Sequence, residues 1–127
     1  MDHLFISATT SSPAVSFNAE TGVLQMTGES YPENTFEFYH PIIHWVKEYL
    51  KTAAGKVTLQ LEMPYLNTGS IKCLMDIFDL LEDAHENGQN VDVIWRYHPG
   101  NARAQDTAEE FSEDLTFPFL IEAVACE

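Results

Sequence analysis

The chain has 127 residues, 45% hydrophobic and 12% aromatic, with 20 acidic against 6 basic residues and a formal net charge of -14. This length and composition predict one globular domain over residues 1–127 that folds around a single core without a cofactor. The negative charge argues against nucleic acid and anionic membrane surfaces as partners, because both would repel it.

The start of the chain and the cysteines indicate a cellular location. Residues 1–3 lack the basic segment and apolar run of a signal peptide, and no stretch approaches the ~18 apolar residues of a membrane span. Cys73 and Cys126 are too few for a disulfide framework. We therefore expect a cytoplasmic protein with free thiols and no membrane insertion.

The first 55 residues predict a small β-meander followed by a helix. Three short apolar segments have the character of strands, and residues 18–22 form a turn between the last two. The predicted strands cover residues 4–8, 14–17 and 23–27. Beyond a loop over 28–34, Asn34 and Glu37 have the spacing of a capping box. Pro41 leaves two alternatives, a main helix that begins at Pro41 or a longer helix that is kinked there.

The rest of the chain alternates between strand and helix patterns. Apolar residues alternate from position 57 to 63, return at helical spacing from 71 to 81, and alternate again from 91 to 97. Further on, we expect a short helix over 104–111 and an edge strand over 117–121, since that segment contains proline. Glu62 and Arg96 are expected to face each other on neighbouring strands.

These elements predict a single-domain α/β fold. Two helices connect parallel strands, and because such crossovers are right-handed, both helices are expected on the same face of the sheet. The expected architecture is a two-layer sandwich with a mixed β-sheet, helices packed mainly on one face, and an opposite face that meets water or a partner.

Residues 65–72 lie where a predicted strand ends and an amphipathic helix begins. Free backbone N–H groups and the positive end of the helix dipole collect there, so a phosphate on Thr68 or Ser70 could be held without unfolding the helix. The alternative is that Thr68 or Ser70 only caps the helix; Asn67 could fill that role instead and leave Thr68 exposed. Gly69 leaves room for a modifying enzyme.

Several separate segments together resemble one known family. They are 12–18 (SPAVSFN), 28–34 (GESYPEN) with Phe38 and Tyr39, 65–70 (YLNTGS), 93–97 (VIWRY) and 117–119 (FPF). In this order, over nearly the whole chain, they are similar to the SiaC family (DUF1987) of bacterial regulatory phosphoproteins. Two positions depart from the family pattern: Gly69, where many relatives have serine, and residues 98–103, where they have an acidic run.

The resemblance implies a non-enzymatic partner switch with a STAS-like fold. Its threonine, here Thr68, is phosphorylated by a dedicated Ser/Thr protein kinase and dephosphorylated by a PP2C-like phosphatase. The unphosphorylated form binds and stimulates a GGDEF diguanylate cyclase, which promotes c-di-GMP synthesis and biofilm formation, and phosphorylation releases the cyclase. The similarity to STAS-type anti-sigma-factor antagonists leaves open a binder of another target.

The partner surface is expected around the Thr68 turn. Its candidate residues are Tyr31, Pro32, Glu33, Asn34, Asn67, Gly69 and Ser70. Tyr31 and Pro32 could instead only seal the core. Phosphate at Thr68, with Glu62, Asp76 and the overall negative charge nearby, should weaken contact with an acidic or apolar partner.

Two other classes of function have weaker support in the sequence. His40 and His44 stand four residues apart in line with Glu37 and Glu48, so a metal site on the helix is conceivable, although Pro41 disturbs the spacing. For an enzyme, neither a nucleophile motif nor a Gly-rich phosphate loop is visible. We therefore expect no metal, no cofactor and no catalytic residues.

Overall fold

Strands and helices alternate along the chain after an initial meander in the structure, a computed structural model that describes residues 1–124. The strands are β1 Leu4–Ile6, β2 Ala14–Phe17, β3 Val23–Thr27, β4 Val57–Glu62, β5 Val91–Tyr97 and β6 Phe119–Ala123; the helices are α1 Thr35–Thr52, α2 Thr68–Glu86 and α3 Ala102–Ser112.

The strands form one mixed sheet in the order β1-β2-β3-β4-β5-β6. The first three pair antiparallel, whereas β3 to β6 pair parallel, each joined to the next through a helix. Register is fixed by facing apolar residues, with Leu59 of β4 opposite both Leu24 of β3 and Val93 of β5. The predicted mixed sheet and the edge position of the last strand are confirmed.

Three crossovers place α1, α2 and α3 on the same face of the sheet, because each is a right-handed step to the neighbouring strand. Alternate strand residues on that face are buried, and the opposite face carries half-buried or exposed polar groups. The largest fully buried side chains are Trp95, Tyr39, Phe17, Phe78, Leu24, Met26, Ile42, Leu59, Leu61, Met63, Leu74 and Ile77. The predicted two-layer architecture is confirmed, with α3 as a third crossover helix.

Helix α1 runs unbroken through Pro41, so the alternative of a main helix beginning at Pro41 is wrong. The predicted cap is present, since Asn34 Oδ1 accepts from the Glu37 N–H at 3.2 Å. Asn34 Nδ2 also donates to the Glu37 carboxylate at 2.8 Å. The apolar face of the helix packs on the sheet, and the free energy gained by this packing exceeds the cost of the backbone hydrogen bond that Pro41 cannot make.

The predicted boundaries and one predicted ion pair need correction. β1 ends at Ile6 instead of residue 8, and β6 begins after Pro118, whose carbonyl accepts from the Val93 N–H at 3.0 Å. Arg96 pairs with Glu122 at 2.8 Å instead of Glu62, because β6 places that carboxylate directly opposite Arg96.

Cys73 is a buried free thiol whose pKa is raised by burial. Cys126 lies outside the described residues. No helix within residues 1–124 combines the length and apolar character needed to cross a bilayer.

Candidate functional site

Thr68 is the first residue of α2, and Asn67 is its N-cap. Asn67 Oδ1 accepts from the Ser70 N–H at 2.8 Å, and the Asn67 carbonyl accepts from the Ile71 N–H at 3.0 Å. The Thr68 side chain is exposed, and its hydroxyl makes no hydrogen bond with any part of residues 1–124. Of the open alternatives, Asn67 therefore supplies the cap and Thr68 is left accessible.

The start of α2 suits an added anion. Its first N–H groups lack intrahelical acceptors, and the helix dipole is positive at this end. The first turn carries no acidic residue although the chain has 20 of them. Lys72 is exposed one turn along α2 at the i+4 position, where it can reach a phosphate on Thr68.

Ser70 is fully buried, so its side chain does not lie on the surface to which the sequence analysis assigned it. Its hydroxyl donates to the Ser30 carbonyl at 3.0 Å and lies 2.8 Å from the Ser30 hydroxyl. The Ser30 hydroxyl lies 2.7 Å from the Tyr39 hydroxyl, and burial raises the pKa of Tyr39 to about 12. The phenol stays protonated, and Ser70 anchors α2 to the loop after β3.

The loops after β3 and β4 run side by side at the carboxyl end of the sheet. The Ser30 N–H donates to the Tyr65 carbonyl at 2.8 Å, and the Asn67 N–H donates to the Ser30 carbonyl at 2.9 Å. A Cβ added at Gly69 would lie 2.9 Å from Thr35 Oγ1, so glycine permits the close approach of α2 to the start of α1. The two segments of the predicted partner surface, 31–34 and 67–70, are thus neighbours in space.

The residues of the first loop have different roles. Tyr31 is exposed, and its ring lies 6.0 Å from that of Tyr65 in an edge-to-face arrangement. Glu33 is also exposed, whereas Pro32 is buried and seals the core. Asn34 is exposed and caps α1. Tyr31, Glu33 and Asn34 therefore remain available to a partner.

Two exposed aromatic residues at this end of the sheet, Phe36 and Tyr65, were not among the predicted partner residues, whereas Tyr31 was. Phe36 at the start of α1 is 58% exposed, Tyr65 is 42% exposed and Tyr31 is 40% exposed. Large apolar side chains in this number at one end of the sheet are typical of an interaction surface, and tyrosine is often an anchor there. A strand-end position and an aromatic residue type are visible in sequence, but exposure is not.

Residues 98–106 also reach this end of the molecule. Asn101 Nδ2 donates to the Pro64 carbonyl at 3.0 Å, and the Arg103 guanidinium lies 5.9 Å from the centre of the Tyr65 ring. The contact between Arg103 and Tyr65 joins residues 38 apart in the chain, so sequence spacing gave no signal for it. This segment therefore lies beside the candidate surface.

The histidines of α1 do not form part of a larger metal-ligating cluster. His40 and His44 are both exposed, and no group of three or more His, Cys, Asp or Glu side chains converges among residues 1–124.

Comparison with known proteins agrees with this arrangement. The sequence pattern described as "SiaC family regulatory phosphoprotein" matches residues 6–124. The chain belongs to the SiaC family. It is 46% identical over 123 residues to an uncharacterized protein of Pseudomonas aeruginosa strain UCBPP-PA14, covering 97% of this chain and 98% of the other.

Two solved SiaC structures from Pseudomonas aeruginosa share the fold. The apo form has a TM-score of 0.93 and 45% identity, covering 97% of this chain and 100% of that one. The second is SiaC as activator in complex with the diguanylate cyclase SiaD, with a TM-score of 0.92 and 45% identity, covering 95% of this chain and 99% of that one. Members of the SiaC family are thus regulatory phosphoproteins with this α/β architecture.

Proposed function

We propose that this SiaC-family protein is a non-enzymatic, cytoplasmic partner switch whose unphosphorylated form binds and activates a GGDEF diguanylate cyclase. The observation that carries the proposal is the exposed hydroxyl of Thr68 on the first residue of α2, with the cap supplied by Asn67. The complex of Pseudomonas aeruginosa SiaC with a diguanylate cyclase supports the choice of partner. Activation would raise c-di-GMP synthesis and promote biofilm formation.

Phosphorylation of Thr68 by a Ser/Thr protein kinase switches the protein off, and a PP2C-like phosphatase restores it. Reversal requires that the modified protein stay folded. The uncapped N–H groups at the start of α2, its positive dipole and Lys72 would stabilise the phosphate without disturbing the cap. The modification then alters the surface and preserves the fold.

Release follows from the surroundings of Thr68. Tyr31, Phe36 and Tyr65 provide exposed apolar area at the same end of the sheet as Thr68, which suits a partner that buries this end. A phosphate adds about -1.5 to -2 charges that would have to be desolvated in such an interface. Binding should therefore weaken through local charge and bulk.

Co-purification from the native host tests the proposal. Thr68→Ala and Thr68→Asp serve as baits, and Thr21→Asp is the matched control because it adds the same charge in the turn before β3, at the opposite end of the sheet. We expect the Ala and Thr21→Asp baits to retain a GGDEF protein that the Thr68→Asp bait loses.

The possible results separate the parts of this proposal. Equal recovery of the same partners by all three baits would reduce Thr68 to an exposed helix residue without a switching role. If the partner lost by Thr68→Asp is not a cyclase, the switch stands, and the protein regulates another target as STAS-type antagonists do.

A further inference from the structure

The face of the sheet opposite the helices is uncovered across all six strands. Within residues 1–124 the three helices lie on the other face, and the side chains of this face alternate along each strand with the buried ones. Phe5 on β1 and Leu120 on β6 point to it, because the residues on either side of each pack against the core. We call it the open face.

One row of side chains across the open face carries no charge. The pairing registers align one residue of each strand in this row: Phe5, Ser16, Gln25, Gln60, Ile94 and Leu120. At its two ends, Phe5 is 64% exposed and Leu120 is 51% exposed. In a chain with a net charge of -14, an uncharged row that ends in exposed apolar residues is typical of the centre of an interface.

The charged residues of the open face lie on one half of it. Glu62, Asp92, Arg96 and Glu122 occur on β4, β5 and β6, whereas β1, β2 and β3 contain no charged residue. Arg96 is already paired with Glu122 at 2.8 Å. Stacking the uncharged half of one molecule on the charged half of another therefore avoids opposing like charges, which would be unfavourable.

A two-fold axis parallel to the strands produces this stacking. It reverses the strand order, so that β1 of each copy lies over β6 of the other and β3 lies over β4. The charged half of each copy then faces the uncharged half of the other. The exposed side chains of Phe5 and Leu120 meet at the two margins of the interface.

Gln25 and Gln60 lie beside such an axis and are complementary to themselves. Gln25 Nε2 donates to Gln60 Oε1 at 2.9 Å, and this leaves Gln25 Oε1 and Gln60 Nε2 without a partner within residues 1–124. The two-fold axis places the free donor of each copy opposite the free acceptor of the other. Two equivalent hydrogen bonds then connect the copies.

The size of the open face suits a weak dimer. Six strands about 4.8 Å apart and three rows of side chains about 7 Å apart give roughly 600 Å² for each copy. Two copies together then bury roughly 1,200 Å², the lower end of the range for specific interfaces. Repulsion between two molecules of net charge -14 weakens the association further.

We propose that the open face binds a second copy of this chain, in a two-fold symmetric dimer with the uncharged row at its centre. Apolar contacts hold the margins, and the glutamine amides pair beside the axis. Thr68 lies at the start of α2 on the covered side of the sheet, so the dimer leaves it accessible. The inference goes beyond the proposed function and does not depend on it.

Sedimentation equilibrium of the full, unphosphorylated chain tests the dimer. Between about 5 and 500 μM we expect a monomer–dimer equilibrium with a dissociation constant on the order of 100 μM. Because the net charges repel, raising NaCl from about 20 to 500 mM should tighten the dimer about threefold or more. A chain that stays monomeric at both salt concentrations, or a dimer that dissociates as salt is added, would overturn the proposal.

Leu120 and Met75 provide a matched pair of variants. Both are 51% exposed, but Met75 lies on α2, on the covered side of the sheet. Leu120→Lys should weaken the dimer about tenfold or more, and Met75→Lys less than about threefold, with circular dichroism confirming that both variants fold. Equal losses, or a larger loss from Met75→Lys, would place the contact outside the open face and contradict the proposal.

Mixing two variants tests the symmetry. Gln25→Glu of one copy faces Gln60→Lys of the other, so an equimolar mixture should dimerise about tenfold more tightly than either variant alone. Gln25→Glu mixed with Met75→Lys is the control and should show no such gain. The same tight association in both mixtures, or in neither, would rule out the two-fold arrangement. These measurements contain no cyclase and no phosphate, so their failure leaves the Thr68 proposal intact.

Discussion

Asn67 and Thr68 have separate roles, since either side chain could cap the helix but only Thr68 carries a hydroxyl that can be modified. Asn67 occupies the capping position and binds the Ser70 N–H, which leaves the Thr68 hydroxyl free for modification. A threonine used as the cap would have its hydroxyl oxygen engaged by a backbone N–H and would be less accessible to a kinase. The proposed switch residue is thus not needed for the cap of α2.

This division predicts losses of stability of different size for two alanine variants. Asn67→Ala should lower the free energy of unfolding by about 1 kcal/mol, because the Ser70 N–H loses its acceptor. Thr68→Ala should change it by less than about 0.5 kcal/mol, as expected for an exposed side chain without partners. Urea denaturation measures both, and a larger loss for Thr68→Ala than for Asn67→Ala would show that Thr68 is the cap.

The sequence identified this junction but could not assign its residues. Asn67, Thr68 and Ser70 are all good cap formers, so local chemistry favours none of them. Their roles are fixed by contacts that are distant in the chain, since Ser70 is buried against Ser30, 40 residues earlier. The contact between Tyr65 and Arg103 could not be predicted for the same reason, because it depends on where α3 packs.

Helix α1 shows how tertiary packing overrides an unfavourable local residue. Pro41 lies seven residues into the helix and has no N–H for the Glu37 carbonyl. The sequence left open whether the helix starts or bends there, because the burial of Tyr39 on the N-terminal side of Pro41 is not visible locally. In the fold, the apolar stripe on both sides of Pro41 packs against the sheet.

Replacing this proline should stabilise the protein. Pro41→Ala restores a hydrogen bond at an exposed site, and the gain of ~3 kcal/mol is partly offset by about 1 kcal/mol from a more flexible unfolded chain. We expect a net increase of about 1–2 kcal/mol in the free energy of unfolding, and less than about 0.5 kcal/mol for the neighbouring exposed His40→Ala. A loss of stability in Pro41→Ala would mean that α1 needs the proline geometry.

The contact between α2 and the segment before β6 depends on pH. The Glu82 carboxylate on α2 accepts from the Thr116 N–H at 2.7 Å and the Thr116 hydroxyl at 2.6 Å, which ties α2 to the segment before β6. These bonds, the hydroxyl one first, lower the pKa of Glu82 below its usual value. Because the folded pKa is below the unfolded one, the contact stabilises the fold above the unfolded pKa and is lost as pH falls through the folded pKa.

Carboxyl NMR titration checks this direction. We expect the pKa of Glu82 to lie below that of a free glutamate in the wild type, and to move back up in Thr116→Ala, which removes the hydroxyl donor. A Glu82 pKa at or above the usual value in the wild type would show that the contact is absent in solution.

At the scale of the whole molecule, the fold separates the proposed switch residue, Thr68, from the core. All three helices cover one face of the sheet, and the site lies at the carboxyl ends of β3 and β4, where ligand and partner sites of α/β sheets gather. Thr68 is not among the buried residues of the core. Phosphorylation can therefore change the surface while the core stays the same.

Comparing amide spectra of the two states tests this separation. We expect chemical-shift changes in the phosphorylated protein to be confined to the Thr68 turn and the segments beside it, residues 28–36, 64–72 and 101–103. Amides of β1 and of the turn at 18–22 serve as the internal control and should stay in place. Shift changes spread across the sheet would point to a rearrangement of the fold.

The global architecture could be predicted because hydrophobic period and connection length determine it. Alternation in β4 and β5 and the helical stripe of α2 gave the element types, and the handedness of crossovers gave the helix-covered face. The pairing of Arg96 with Glu122 could not be predicted, because it needs the position of a strand whose start is obscured by Pro118.

The affinity of the purified GGDEF partner for the two phosphorylation states tests the central claim most directly. Calorimetry would compare the unphosphorylated chain with the same chain stoichiometrically phosphorylated at Thr68. We predict that phosphorylation weakens binding about a hundredfold, equivalent to ~3 kcal/mol. Dissociation constants equal within about threefold, measured with both proteins folded, would contradict the account of Thr68 as the switch.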